Sequence, residues 1–279
     1  MGACPRHALR TLDILAHLQG RSETRSLPRT GSTPMNGDAN MPCGPFVRVA
    51  NGRLVRGTDD NLFLNGLNLA WIRYPDFAAA PANDTAALAS VCGAEDAMRF
   101  LVENGGNALR VWLFQEPGQS LEWRDGLVVG LGPGVLRMAQ LLLDLALRYD
   151  VLLIFVLFNG ALLRGSSACS LLQHDDVLDS LLTNAITPLG RALRGYESLA
   201  MLEVINEPEG LIDIERLHTG EGHRCTNAQP VQQCARGDAD AAGRPAVDGI
   251  GWNAECRFEL RTVQRFVNKV AGSLRRAVL

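Results

Sequence analysis

The stretch of this chain with the clearest chemical potential is Met201-Leu202-Glu203-Val204-Ile205-Asn206-Glu207-Pro208, an apolar run that ends in an amide, a carboxylate and a proline. The apolar part reads as a strand, and polar residues at the carboxyl end of a strand are where α/β barrels place catalysis. A carboxyl group at such a point can give a proton to a leaving oxygen. Hydrolysis of a glycosidic bond needs that donor and, where configuration is retained, a second carboxyl about 5 Å away to attack the sugar. Glu207 is the candidate acid/base. Asn206 beside it is suited to hydrogen-bond a sugar 2-hydroxyl, an interaction that strengthens as the oxocarbenium-like transition state forms.

Other candidates lie near the ends of apolar runs. Arg110 stands in Asn107-Ala108-Leu109-Arg110-Val111-Trp112. A buried guanidinium requires an anionic partner, and both a structural ion pair with Glu103 or Glu116 and a place beside a catalytic carboxylate fit. Trp71, Trp112 and Trp123 offer flat faces on which sugars stack, with core or rim packing expected for two of the three. Asn159 ends a third run, Val151 to Phe158, and is a further substrate-contact candidate. His174, His218 and His223 fall on a helix start or in a long loop, positions that suit solvated or packing side chains better than ligands. No CxxC or HExxH pattern occurs, so neither a metal nor a cofactor is expected.

The elements that would position these residues follow from pattern. The chain has 279 residues, 47% hydrophobic and 20% charged, with a net charge of -3, the make-up of a globular protein able to bury a large core. Without a basic stripe nucleic acid is not an expected partner, and without a run of about 18 apolar residues neither is a membrane. Arg10 to Arg29 is polar and charged, unlike a secretory signal. Residues 1–44 read as a flexible leader. Order is expected from Pro45, with short antiparallel strands around Asn51-Gly52 forming a cap.

From Gly66 onward, short apolar runs alternate with amphipathic segments, which predicts βα units on a parallel sheet. The expected strands are Leu67 to Ile72, Ala108 to Phe114, Val151 to Phe158 and Ala200 to Ile205. The expected helices run from about Ala94 to Glu103, Gly134 to Tyr149, Asp175 onward with an end or kink at Pro188, and Asn253 to the last residue. Gln115 to Pro133 should hold a small hairpin at Asp125-Gly126. Glu209 to Trp252 is a long loop after the best motif, and binding is its expected use. Seven cysteines leave at least one outside any intrachain pair; Cys225 and Cys234 suit either a disulfide or two thiols.

On these residues the chain resembles glycoside hydrolase family 5, the endo-mannanase and cellulase-like (β/α)8 enzymes, in which Asn-Glu-Pro closes the fourth strand. Asn206-Glu207-Pro208 followed by Glu209-Gly210 carries the resemblance, with Asn65-Gly66-Leu67-Asn68, the Asn107 to Trp112 run and Thr187-Pro188-Leu189 in support. It covers about Phe46 to Leu279. Strand three departs from it, ending Phe158-Asn159-Gly160 where many members place a histidine or tryptophan.

The resemblance implies a TIM barrel, incomplete here with about four βα units and the hairpin cap, so that residues 45–279 form a partial barrel domain. It makes Glu207 the acid/base, gives Arg110 a role supporting the nucleophile's carboxylate, and names a β-1,4-linked polysaccharide, mannan before cellulose, as substrate. The family is usually secreted. Its nucleophile follows strand seven, and no residue here matches it: Glu209, Glu215, Glu221, Glu255 and Glu259 are loop or helical. A truncated, weakly active or inactive chain is therefore expected, with open sheet edges able to self-associate. A carbohydrate-binding half-barrel that dimerises, or an unrelated α/β protein in which the motif caps a strand, are the competing expectations.

Overall fold

The computed structural model describes residues 45–57, 60–71, 85–114, 120–160, 163, 165–212 and 257–278. It opens with a small antiparallel sheet of β1 (Val47–Ala50), β2 (Arg53–Arg56) and β3 (Asp60–Asn61). The β1–β2 turn is made by Asn51 and Gly52, both at positive φ, the backbone that lets a two-residue hairpin follow the twist of its strands. This cap is tied to the main body by Arg56, whose Nη1 lies 2.8 Å from the Asp150 carboxylate.

The main sheet is parallel, in the order β4 (Gly66–Leu69), β5 (Ala108–Trp112), β8 (Leu152–Asn159), β9 (Leu199–Asn206). These are the four expected strands in chain order, each shifted by a few residues at most. Register separates the two faces. The row Leu69–Val111–Phe155–Leu202 belongs to the hydrophobic core beneath the helices, with Val111 and Phe155 completely buried. The adjacent row, Asn68–Arg110–Ile154–Met201, stays partly or fully exposed throughout. Because successive side chains alternate, one face carries the core and the other faces what would be a barrel interior. Among the described residues β4 and β9 each have a partner in this sheet on one side only.

Helices cover the core face. α2 (Val135–Arg148) turns a broad apolar side, including Leu142, Leu143 and Ala146, into it, and its bounds match the expected segment. α1 (Thr85–Glu103) begins earlier than the expected Ala94. The hairpin of β6 (Leu121–Arg124) and β7 (Leu127–Leu131) turns at Asp125 and Gly126, again both at positive φ, as the sequence predicts.

After β8 the chain makes α3 (Gly165–Gln173), a helix the sequence reading leaves out, and then α4 (Asp175–Leu181). Pro188 deforms the third expected helix rather than ending it. A π-helical segment, Leu182–Ile186, leads into α5 (Thr187–Leu193). A proline has no N–H to offer and its ring presses on the carbonyl four residues back; the wider turn just ahead of it gives that ring room. α6 (Leu260–Val278) starts later than the expected Asn253, packs on α5 and α3, and joins α5 through the Thr187 and Ser273 hydroxyls at 2.9 Å.

Cys169 on α3 is disulfide-bonded. The Cys225 and Cys234 pair, the leader over residues 1–44 and most of the Glu209 to Trp252 loop lie outside the described residues. No helix among the described residues is long and apolar enough to cross a membrane.

Candidate active site

Glu207 follows β9 directly and takes a left-handed conformation, φ 49° and ψ 54°. The cause is local. The ring of Pro208 disfavours right-handed helical geometry at the residue before it, and Pro208 begins a 3-10 turn, Pro208–Leu211, in which the Gly210 N–H donates to the Glu207 carbonyl at 3.1 Å. The chain turns sharply and leaves the Glu207 side chain exposed. On the neighbouring strand, a Cβ added at Gly160 would overlap the Glu207 carbonyl oxygen. Only glycine lets the end of β8 pass so close beneath the turn that carries the carboxylate.

Behind Glu207 lies a polar network centred on Arg110. Its Nε donates to Glu203 Oε2 at 2.8 Å and its Nη2 to Glu203 Oε1 at 2.5 Å, the bidentate fork that a guanidinium and a carboxylate make together. Nη2 also donates to Asn206 Oδ1 at 2.8 Å and Nη1 to Asn68 Oδ1 at 2.9 Å. Asn206 Nδ2 in turn donates to Asn159 Oδ1 at 3.3 Å. The Arg110 guanidinium sits 5.6 Å from the centre of the Trp112 ring, and Trp112 meets Trp71 edge to face at 5.5 Å. Four strands thus contribute to one cluster at their carboxyl ends: Asn68 from β4, Arg110 and Trp112 from β5, Asn159 from β8, and Glu203 and Asn206 from β9.

The structure brings together Asn206, Arg110, Trp71, Trp112 and Asn159, with Glu207 next in the chain to Asn206. Their exposures differ. Trp71 leaves 42% of its surface open, whereas Trp112 and Asn159 expose 8% and 6%. Trp123 packs against the core from the β6–β7 hairpin. His174 is exposed at the start of α4, and His218 and His223 fall outside the described residues.

The carboxylate on Arg110 is Glu203, rather than Glu103, one of the two partners that a structural ion pair would have used; the other, Glu116, lies outside the described residues. Glu203 is the member of this cluster that sequence reasoning misses. Its signal is a single charge inside an otherwise apolar strand, which in a half-buried position demands a cation from elsewhere in the fold.

No protein-family model matches the chain. It is 30% identical over 237 residues to a mannan endo-1,4-β-mannosidase of Cryptopygus antarcticus, a match covering 83% of this chain and 55% of that protein. It is 30% identical over 167 residues to a mannan endo-1,4-β-mannosidase of Mytilus edulis, covering 57% of this chain and 44% of that one. Among solved structures, the endo-1,4-β-mannanase of Eisenia fetida aligns with a TM-score of 0.66 at 29% identity, over 83% of this chain and 59% of that chain. The chain spans about half the length of the curated relatives it matches. The fold is an incomplete α/β barrel of the mannanase kind, and the chain is a relative of the glycoside hydrolase family 5 mannanases.

Proposed function

We propose that this chain supplies the acid/base half of a retaining β-1,4-mannanase site. Glu207 protonates the glycosidic oxygen as the bond breaks and later takes a proton from the attacking water, while Asn206 holds the sugar 2-hydroxyl. The observation that carries this reading is an exposed carboxylate fixed at the end of the fourth parallel strand, beside an amide already oriented by Arg110. Trp71 offers its open ring to a sugar, and Trp112 and Asn159 support the site from beneath. Mannan is the substrate class because the relatives are named for it.

In this reading the attacking carboxylate comes from the strand-seven position, which the residues here do not match. Glu203 cannot replace it, because both of its oxygens are engaged by Arg110. Loss of a nucleophile costs orders of magnitude in rate, so the 279-residue chain alone hydrolyses mannan weakly or not at all. A second reading, a mannan-binding half-barrel that pairs with another copy, is favoured by β4 and β9, which among the described residues each have a sheet partner on one side only.

The test combines reducing-sugar release from β-mannan and β-glucan, calorimetry with mannopentaose, and size-exclusion mass. Slow release from mannan that Glu207→Gln abolishes supports the first reading, and fast release overturns its inactive-chain part. Saturable binding by a dimer without product supports the second. Neither binding nor product overturns both.

A further inference from the structure

We infer that Glu203 is a positioning residue for Asn206, holding Arg110 so that Arg110 fixes which end of the Asn206 carboxamide faces the cleft. The inference deepens the mannanase reading and rests on it only in taking the ligand in the cleft to be a sugar.

A carboxamide has two nearly isosteric ends of opposite character: the oxygen accepts and the nitrogen donates. At Asn206 the oxygen is occupied by Arg110 Nη2 at 2.8 Å, and one Nδ2 hydrogen is directed to Asn159 Oδ1 at 3.3 Å. What Asn206 can still offer a ligand as a donor is the second Nδ2 hydrogen, suited to a hydroxyl oxygen, beside the second lone pair of Oδ1. Flipping the amide would set its nitrogen against the guanidinium, donor against donor. The orientation of Asn206 is therefore only as firm as the position of Arg110.

Arg110 cannot hold that position by itself. It stands in register with Ile154 on β8, which stands in register with Met201 on β9. Its side chain must cross a whole intervening strand to reach β9, where the strand spacing is about 4.8 Å. A long flexible stem over that span loses its geometry unless the far end is anchored. Glu203 anchors it with two parallel bonds, leaving the second Nη2 hydrogen directed at Asn206. Asn68 takes an Nη1 hydrogen from the other side, which keeps the plane of the guanidinium from rolling. Glu203 also neutralises the cation, so the strand ends carry no net charge from this pair.

The test uses the isotope-labelled full chain and the side-chain amide signals of Asn206 in nuclear magnetic resonance, identified by their loss in Asn206→Asp. Asn104, whose Nδ2 donates to the Phe100 carbonyl on α1 away from the cluster, is the internal control. In Glu203→Gln the Asn206 amide protons should exchange with water about tenfold faster, the equivalent of one lost hydrogen bond, while those of Asn104 do not change. Mannopentaose affinity should fall by a similar factor. Where Glu203→Gln fails to fold, Arg110→Lys retains the charge without the fork and should give the same loosening. Unchanged Asn206 signals in whichever variant folds overturn the inference. If the native chain binds no oligosaccharide, the sugar reading fails, and amide exchange still decides for or against the positioning role.

Discussion

The two faces of the main sheet are made by alternate residues of the same strands, yet they do opposite work. On the helix-covered face, Leu109, Leu153 and Phe155 lose all contact with solvent. One residue along, Arg110 and Ile154 stay partly open, and across the sheet Met201 keeps 39% of its surface exposed. The first face is a close-packed interior in which each atom contributes dispersion and burial. The second holds the Arg110–Glu203 charge pair, the Asn68 amide and the Trp112 indole, whose contacts fix directions more than they add stability. Stability should therefore be concentrated on one face and ligand recognition on the other, and substitutions chosen in pairs across the sheet can test that division.

The largest expected effect is on the packed face. Phe155→Ala removes a ring with no exposed surface and should cost about 3–5 kcal/mol, measured as the loss of unfolding free energy in urea. Met201→Ala, on the open face, should cost no more than about 0.5 kcal/mol. Equal losses at the two sites would break the division. Gly160→Ala comes next and acts at the boundary. The added methyl overlaps the Glu207 carbonyl, so the strand ends must part, at about 1–3 kcal/mol. Because the displaced backbone carries Glu207, sugar binding should weaken together with stability. A variant that keeps full affinity while losing stability would separate the two.

A smaller effect is expected where the half-buried Tyr149 meets the buried Glu95. The Tyr149 hydroxyl donates to Glu95 Oε1 at 2.7 Å. Burial first, and then the bond to Glu95, raise the Tyr149 phenol above its ordinary 10.0, with Arg99 opposing. The folded chain thus holds this proton more tightly than the unfolded chain does. Its contribution to stability is complete below the ordinary value and is lost as pH rises from about 10 through the raised folded value. Tyr149→Phe should cost about 0.5–1.5 kcal/mol at neutral pH, and the difference from the native chain should shrink in alkali. A difference that stays constant to high pH would show that the phenol does not titrate differently on folding.

The packed face was the more legible of the two in the sequence. Four apolar runs mark the strands, the spacing of Leu136, Leu141, Leu142 and Leu145 marks α2, and Asn51-Gly52 and Asp125-Gly126 mark the hairpins, because each signal is contained within a few neighbouring residues. The Asn206-Glu207-Pro208 motif was legible for the same reason. The network behind it was not. Arg110 and Glu203 lie 93 positions apart, and nothing local to either names the other. The same holds for the π-helical turn before Pro188, where the sequence announces a disturbance but packing between α5 and α6 decides that the helix continues.

The last and smallest prediction concerns Glu207 itself, where conformation and function pull apart. A non-glycine residue at φ 49° carries a backbone cost of order 1 kcal/mol that glycine does not pay, so the turn stores strain at the residue proposed to do the chemistry. Replacing it with alanine removes the carboxylate and keeps the strain; replacing it with glycine removes both. Glu207→Gly should therefore be more stable than Glu207→Ala by about 0.5–1 kcal/mol, with both variants equally unable to donate a proton. The pair isolates the backbone contribution, because the lost side chain is exposed and common to both. If glycine and alanine are equally stable, the left-handed geometry is not held by Pro208 and the 3-10 turn in solution, and the close approach of Gly160 loses its reason. If glycine is the more stable, the chain keeps a less comfortable residue at this turn, which is the expected mark of a site retained for what its side chain does.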